Sequence, residues 1–303
     1  MTKGCLCRDA LARVVKRRDA GSFADQAVLF DGDARAEGDT CRTARPKGNG
    51  SGKSEAREAP LCSHLLPRVH FCGKTIRTET RPKSLAMNEF SSRRVIMVDT
   101  QVRPSDVTKF PIIAAMLHVP REVYVPSGKR EAAYAGQNVD IGNGRVLLEP
   151  RTLAKLLDAL DIQPDEMVLD LGCGLGYSTA VIARLAEAVV AVEEDETLAA
   201  EAQRTLSREG VDNAAVVVGA LAAGAARHGP YDVITLQGAA ETIPAALLAQ
   251  LKEGGRIGCV FMEGSLGVAR VGYMIDGQVS WRFAFNASAP VLPGFALRTG
   301  FMF

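Results

Sequence analysis

The chain has no run of about 18 apolar residues, so no membrane-spanning helix is expected. Its N-terminal stretch lacks the apolar core of a secretory leader, and Asp9, Asp19 and Asp25 sit badly with an Arg-rich transit segment. Histidine is scarce, at 4 residues, and none of the 7 cysteines is spaced C-x-x-C. That removes the usual zinc patterns, so no metal is expected. The cysteines read as reduced thiols of a cytoplasmic protein. Charge of one sign is also missing, the formal net charge being +1. The near-neutrality hides a split: residues 1–86 hold 17 of the 36 Lys and Arg but 10 of the 35 Asp and Glu, leaving about +7 there and about −6 in the rest. The acidic remainder has no electrostatic footprint for nucleic acid.

At 47% hydrophobic and 23% charged residues, there is apolar material enough for a core that holds a cleft. Residues 1–86 show no helical or strand period, and 31–60 contain almost nothing large and apolar. Such a stretch cannot bury enough surface to offset its ordering entropy. We expect a disordered extension, or one that arises from a start assigned upstream of the true one, since Met87 and Met97 both precede the globular texture. The GNGSGKS run at 48–54 resembles a phosphate loop. The position that needs its first glycine is Lys47, and no apolar strand precedes it, so it reads as linker.

Residues 87–150 read as a helical and looped cap that contributes to an acceptor site. Within it Pro111–His118 is a short helix closed by Pro120, and Gly136–Leu148 is a glycine-punctuated loop. Residues 151–303 read as the core. Thr152–Leu160 is a helix with Leu153, Leu156, Leu157 and Leu160 on one face. Met167–Leu171, Ala188–Val192, Ala215–Val218, Asp232–Leu236 and Arg256–Phe261 are strands. Helices are expected over Ser178–Glu187, Glu196–Glu209 and Ile243–Leu251, the last stopped by Gly254-Gly255. The alternation predicts βαβ units and a doubly wound, mostly parallel, Rossmann-like α/β sheet. Val268–Ile275 and Val279–Phe285 flank Asp276-Gly277, a hairpin signal. A parallel sheet finished by an antiparallel hairpin is the arrangement of S-adenosylmethionine-dependent methyltransferases rather than dehydrogenases. Ala296–Phe303 is either one more strand or a packed tail.

The strongest motif is Val168-Leu169-Asp170-Leu171-Gly172-Cys173-Gly174-Leu175-Gly176-Tyr177. An apolar strand ends in an acid, and three alternate glycines lead into a helix. Glycines let the backbone turn tightly and approach a ligand closely, and the following helix aims its N–H groups at that ligand. The spacing is not the G-x-G-x-x-G of dinucleotide sites. No pyrophosphate need bind; S-adenosylmethionine brings a carboxylate and an ammonium, with Asp170 near that end. Glu193 closes the next strand about twenty residues on, where a carboxylate can accept both ribose hydroxyls. We prefer that role to a solvated acid within Glu193-Glu194-Asp195-Glu196.

The combination resembles the protein-L-isoaspartate O-methyltransferase family over essentially all of residues 97–303. The matching residues are Gln101-x-Arg103-Pro104, Val119-Pro120-Arg121-x-x-Tyr124-Val125-Pro126, Ala133-Tyr134, Ile141-Gly142-x-Gly144 with Pro150, the glycine loop, Val192-Glu193, Tyr231-Asp232, the Ala239-Ala240-x-x-Ile243-Pro244 run and Leu251-Lys252-x-Gly254-Gly255-Arg256. The resemblance implies methyl transfer from S-adenosylmethionine to a carboxylate of isoaspartyl residues in damaged proteins, the first step of their repair. It implies isoaspartyl proteins or peptides as partners, and we expect a monomer. Cofactor contacts are expected at Asp170, Gly172, Gly174, Gly176, Glu193 and the position of Ala220.

Two departures from the family touch the site. The serine that the family uses at the substrate carboxylate is Leu148 here, and its acid toward the adenine is Ala220. No catalytic residue is therefore certain from sequence. Arg145 is the candidate replacement anchor, since guanidinium grips a carboxylate through paired hydrogen bonds; the other reading pairs it with Glu149 at the surface. The departures keep two alternatives open, a different acceptor on the same fold or a non-catalytic cofactor-binding module. His118 and His228 read as surface residues and Trp281 as packing. Tyr134 either lines the acceptor cleft or packs.

Overall fold

Two adjacent strands decide the layering. Every residue of β3 (Met167–Leu171) and β4 (Ala188–Glu193) is buried. Val168, Val189 and Ala191 pack into one apolar cluster, while Leu169, Leu171, Val190 and Val192 pack into another. Successive side chains of a strand face opposite sides. A sheet whose two faces are both apolar must be covered twice, and its strands then read as continuous apolar runs.

The computed structural model describes residues 83–297. The expectations for residues 1–82, including the GNGSGKS run, and the one for Ala296–Phe303 beyond residue 297 lie outside the described residues. Helix α1 (Lys83–Met97) passes through a π-helical turn at Val98–Val102 into a short 3-10 turn at Arg103–Ser105. After α2 (Phe110–His118), strands β1 (Val139–Gly142) and β2 (Arg145–Leu147) pair antiparallel. Next come α3 (Pro150–Leu160), β3, α4 (Tyr177–Ile182), β4, α5 (Glu196–Arg208), β5 (Ala214–Val218), β6 (Tyr231–Ala240), α6 (Ala245–Leu248), β7 (Leu251–Glu263), β8 (Leu266–Ile275) and β9 (Gln278–Asn286). The large sheet has the order β5-β4-β3-β6-β7-β8-β9. Strands β5 to β7 run parallel, and β8 and β9 antiparallel. Asp276 and Gly277, both at positive φ, make the predicted hairpin turn.

Several expectations are corrected. Residues 136–148 hold the β1–β2 hairpin rather than a plain loop; Val139 and Ile141 face inward with Arg145 and Leu147, an alternation too short and too glycine-rich to read from sequence. The helix expected over 178–187 stops at Ile182. There the Asn213 amide donates to the carbonyls of Ala183, Ala186 and Glu187 and draws the chain toward β4. The helix expected over 243–251 shrinks to Ala245–Leu248, because β7 starts early: Leu251 pairs with Tyr231, and Tyr231 N–H donates to the Gln250 carbonyl.

The tail runs beside β6. Ala239 N–H donates to the Pro290 carbonyl and Leu292 N–H to the Ala239 carbonyl, each at 2.8 Å. At β3 the strand order reverses, with β4 on one side and β6 on the other. The carboxyl ends of these strands part there, which is where open α/β sheets bind ligands. No helix among the described residues is long and apolar enough to cross a membrane.

Candidate functional site

The crevice at the end of β3 opens with Asp170, which is fully buried. Its Oδ2 accepts from Ser178 Oγ and Thr179 Oγ1, and its Oδ1 from Gln237 Nε2, each at 2.7 Å. Burial pushes the Asp170 carboxyl above the usual range, and the three hydrogen bonds oppose that shift. Asp170 thus ties β3, the first turn of α4 and the end of β6 together. The loop that follows has φ of +76° at Gly172, +56° at Gly174 and +95° at Gly176, a region that L side chains disfavour. Gly172 N–H donates to the Val192 carbonyl at 2.8 Å, which clamps the loop onto β4.

Glu193 ends β4 and is fully buried, while its neighbour Glu194 is exposed. Gly174 N–H donates to Glu193 Oε2 at 2.7 Å, and Glu194 N–H to Oε1 at 3.0 Å. The same Oε1 accepts from Arg145 Nη1 at 3.0 Å. Arg145 Nη2 donates to the Gly172 carbonyl at 2.7 Å, and its buried Nε has no partner. The arginine is therefore buried against Glu193 and the Gly172 carbonyl rather than paired with Glu149 at the surface. Glu149 accepts from Thr152 Oγ1 instead.

The β1–β2 hairpin lies directly on the glycine loop. A Cβ at Gly172 would stand 2.4 Å from Arg145 Nη2, and one at Gly174 the same 2.4 Å from Ile141 Cδ1. Only the missing side chains allow this approach. The hairpin tip is tied down as well, since Asn143 Nδ2 donates to Asp195 Oδ2 at 2.6 Å. Asp195 caps α5 by accepting from the N–H groups of Thr197 and Leu198.

Asp170, Gly172, Gly174 and Glu193 thus lie together at and just beyond the carboxyl ends of β3 and β4. Gly176 is set back: a Cβ there would touch Ala202 and Leu206, so the position faces α5 rather than the crevice. Ala220 is exposed at the start of a 3-10 turn beyond β5. Gly219 N–H donates to the Glu193 carbonyl, which keeps that turn beside the crevice. Leu148 is 2% exposed and packs in the core, while its carbonyl accepts from the buried Arg121. Tyr134 packs: its hydroxyl bridges Arg94 and Glu122. Trp281 packs edge-on against Phe261, with centroids 4.8 Å apart. Sequence reasoning missed Ser178, Thr179, Gln237 and Ile141. Two hydroxyls in the first turn after a glycine loop were an available signal for the first pair; Gln237 had none.

A doubly wound, mostly parallel sheet that ends in an antiparallel hairpin, with a glycine loop and a buried strand-end acid at its switch point, is the fold of the S-adenosylmethionine-dependent methyltransferases. The family model for protein-L-isoaspartate(D-aspartate) O-methyltransferase matches residues 96–263. The chain belongs to that family. It is 37% identical over 171 residues to the protein-L-isoaspartate O-methyltransferase of Syntrophus aciditrophicus, covering 56% of this chain and 78% of that one. To the protein of the same name from Roseiflexus castenholzii it is 35% identical over 169 residues, covering 56% and 77%. A beta-aspartate methyltransferase from Plasmodium falciparum, solved with S-adenosyl-L-homocysteine, superposes with a TM-score of 0.58 at 19% identity, covering 67% of this chain and 97% of that one. That likeness shows the shared fold.

Proposed function

We propose that this chain transfers the methyl group of S-adenosylmethionine to a carboxylate of L-isoaspartyl or D-aspartyl residues in damaged proteins. One observation carries the reading: the Glu193 carboxylate at the end of β4 and the Gly172 carbonyl just beyond β3, both buried acceptors, converge beside a loop whose glycines let a neighbouring group approach closely. The acceptors fit the group. Arg145 shows that N–H donors on one ligand can satisfy both at 2.7–3.0 Å, and S-adenosylmethionine offers ribose hydroxyls and an ammonium in the same donor class. Glu193 would hold the ribose and the Gly172 carbonyl the ammonium. Asp170, whose oxygens already accept three side-chain bonds, would keep the loop in shape.

When bound, the cofactor supplies a methyl group on a cationic sulfur. The acceptor carboxylate is ionised at neutral pH and needs no base, so the protein's part is alignment and exclusion of water. Leu148 offers no hydroxyl to the acceptor, and Arg145 can serve as its anchor only after leaving Glu193. Family membership favours the isoaspartyl reading over another acceptor or a non-catalytic module. Cys173 and Cys259 are buried free thiols, which suits a reducing cytoplasmic setting.

The test is transfer of tritium from methyl-labelled cofactor to an isoaspartyl peptide, with the aspartyl peptide as control. Base-labile label on the first alone is expected. Equal labelling of both peptides, or of neither, would remove the proposed acceptor.

A further inference from the structure

We infer that Arg145 competes with the cofactor for its own anchors, so that S-adenosylmethionine enters only when the arginine withdraws. The inference rests on the cofactor reading above.

The geometry leaves no room for both. Arg145 holds the two acceptors assigned to the cofactor, Glu193 Oε1 at 3.0 Å and the Gly172 carbonyl at 2.7 Å. Its guanidinium occupies the space over Gly172 where even a methyl group would meet Nη2 at 2.4 Å. Ile141, from the same hairpin, covers Gly174 as closely, and Leu292 reaches toward the Gly172 position from the tail at 3.4 Å. The glycine loop, built to let a ligand approach, is approached by the protein itself.

The plug is also incompletely bonded. Arg145 is 4% exposed, yet its Nε–H has no acceptor. Glu193, by contrast, keeps the N–H groups of Gly174 and Glu194 when the arginine leaves. The acceptor is thus prepared to exchange one donor for another. The exchange requires the side chain of Arg145 to swing and that of Ile141 to draw back from Gly174, with the hairpin tip still moored through Asn143 to Asp195.

A site closed nine-tenths of the time binds its ligand about tenfold more weakly than one held open. Calorimetric titration of S-adenosylmethionine and S-adenosylhomocysteine into the full chain, Arg145→Ala and Arg145→Met tests this. Methionine keeps most of the side-chain volume and removes the donors, which guards against simple collapse. Both variants are expected to bind at least about tenfold tighter than the unaltered chain while melting lower without ligand. Affinity that is unchanged or weaker in folded variants overturns the plug and leaves the cofactor reading standing. No binding to any of the three folded chains overturns both. The unaltered chain gives an independent reading by NMR. Slow exchange of the Arg145 Nη–H protons, which bond Glu193 and the Gly172 carbonyl, is expected to be lost at saturating S-adenosylhomocysteine; its persistence with ligand bound contradicts the inference.

Discussion

Arg145 and Glu193, 48 residues apart in sequence, form an ion pair at 3.0 Å with side chains 4% and 1% exposed. The two partners are unequally supported. Glu193 retains the backbone donors of Gly174 and Glu194 when the arginine is removed. Arg145 retains only the Gly172 carbonyl when the acid is removed. Stranding a buried charge costs about 3–5 kcal/mol. Glu193→Ala should therefore lose about that much stability in urea without ligand, and Arg145→Ala clearly less. Equal losses would mean that the backbone donors do not hold the carboxylate.

Leu148 stands where the resemblance implies a serine, and its environment has become core. Restoring the hydroxyl should not be neutral. Leu148→Ser removes a buried side chain and buries a polar group, so a loss of about 3 kcal/mol or more is expected. Denaturant unfolding measures it, and a loss under about 1 kcal/mol would show that the site can still accept a serine.

Gly174 combines a φ of +56° with the Ile141 side chain at 2.4 Å from its would-be Cβ. The backbone conformation alone should cost Gly174→Ala about 1–2 kcal/mol. The contact adds a separable part. Ile141→Ala in the Gly174→Ala background should recover some of that loss, giving a coupling of about 0.5–3 kcal/mol in a double-mutant cycle. Strict additivity would mean that the hairpin does not rest on the loop.

Burial raises the Asp170 carboxyl above its ordinary value, against the bonds from Ser178, Thr179 and Gln237. The native state then binds this proton more tightly than the unfolded chain. The group's contribution to stability is full below about pH 3.9, the unfolded value, and is lost as pH rises through the raised native value. Asp170→Asn cannot ionise. Its oxygen can still accept from Ser178 and Thr179, and the Gln237 amide can turn over to meet its NH2 group. The stability of Asp170→Asn relative to the unaltered chain should therefore increase with pH above that point and then level off. Urea titrations of both proteins across the acid range check it, and a flat difference would mean that Asp170 keeps an ordinary pKa.

The central strands were legible because both of their faces are buried and they read as unbroken apolar runs, as at Met167–Leu171. Asp170 and Glu193 were legible because strand-end acids flanking a glycine loop have few other uses. The hairpin under Ile141 and Arg145 was not, since its strands are four and three residues long and its glycines imitate a loop. The short α4 and α6 were over-read for a different reason. Their ends are set by long-range partners, Asn213 and Tyr231, that no local period announces. Nothing in a single sequence links residues 145 and 193, so the Arg145–Glu193 pair is visible only in the fold.

A structure of the chain with S-adenosylhomocysteine at saturation tests the site most directly. The ribose hydroxyls are expected on Glu193, the ligand ammonium on the Gly172 carbonyl and the Arg145 guanidinium displaced from both. Ligand bound elsewhere, or bound while Arg145 still contacts Glu193, would contradict that assignment.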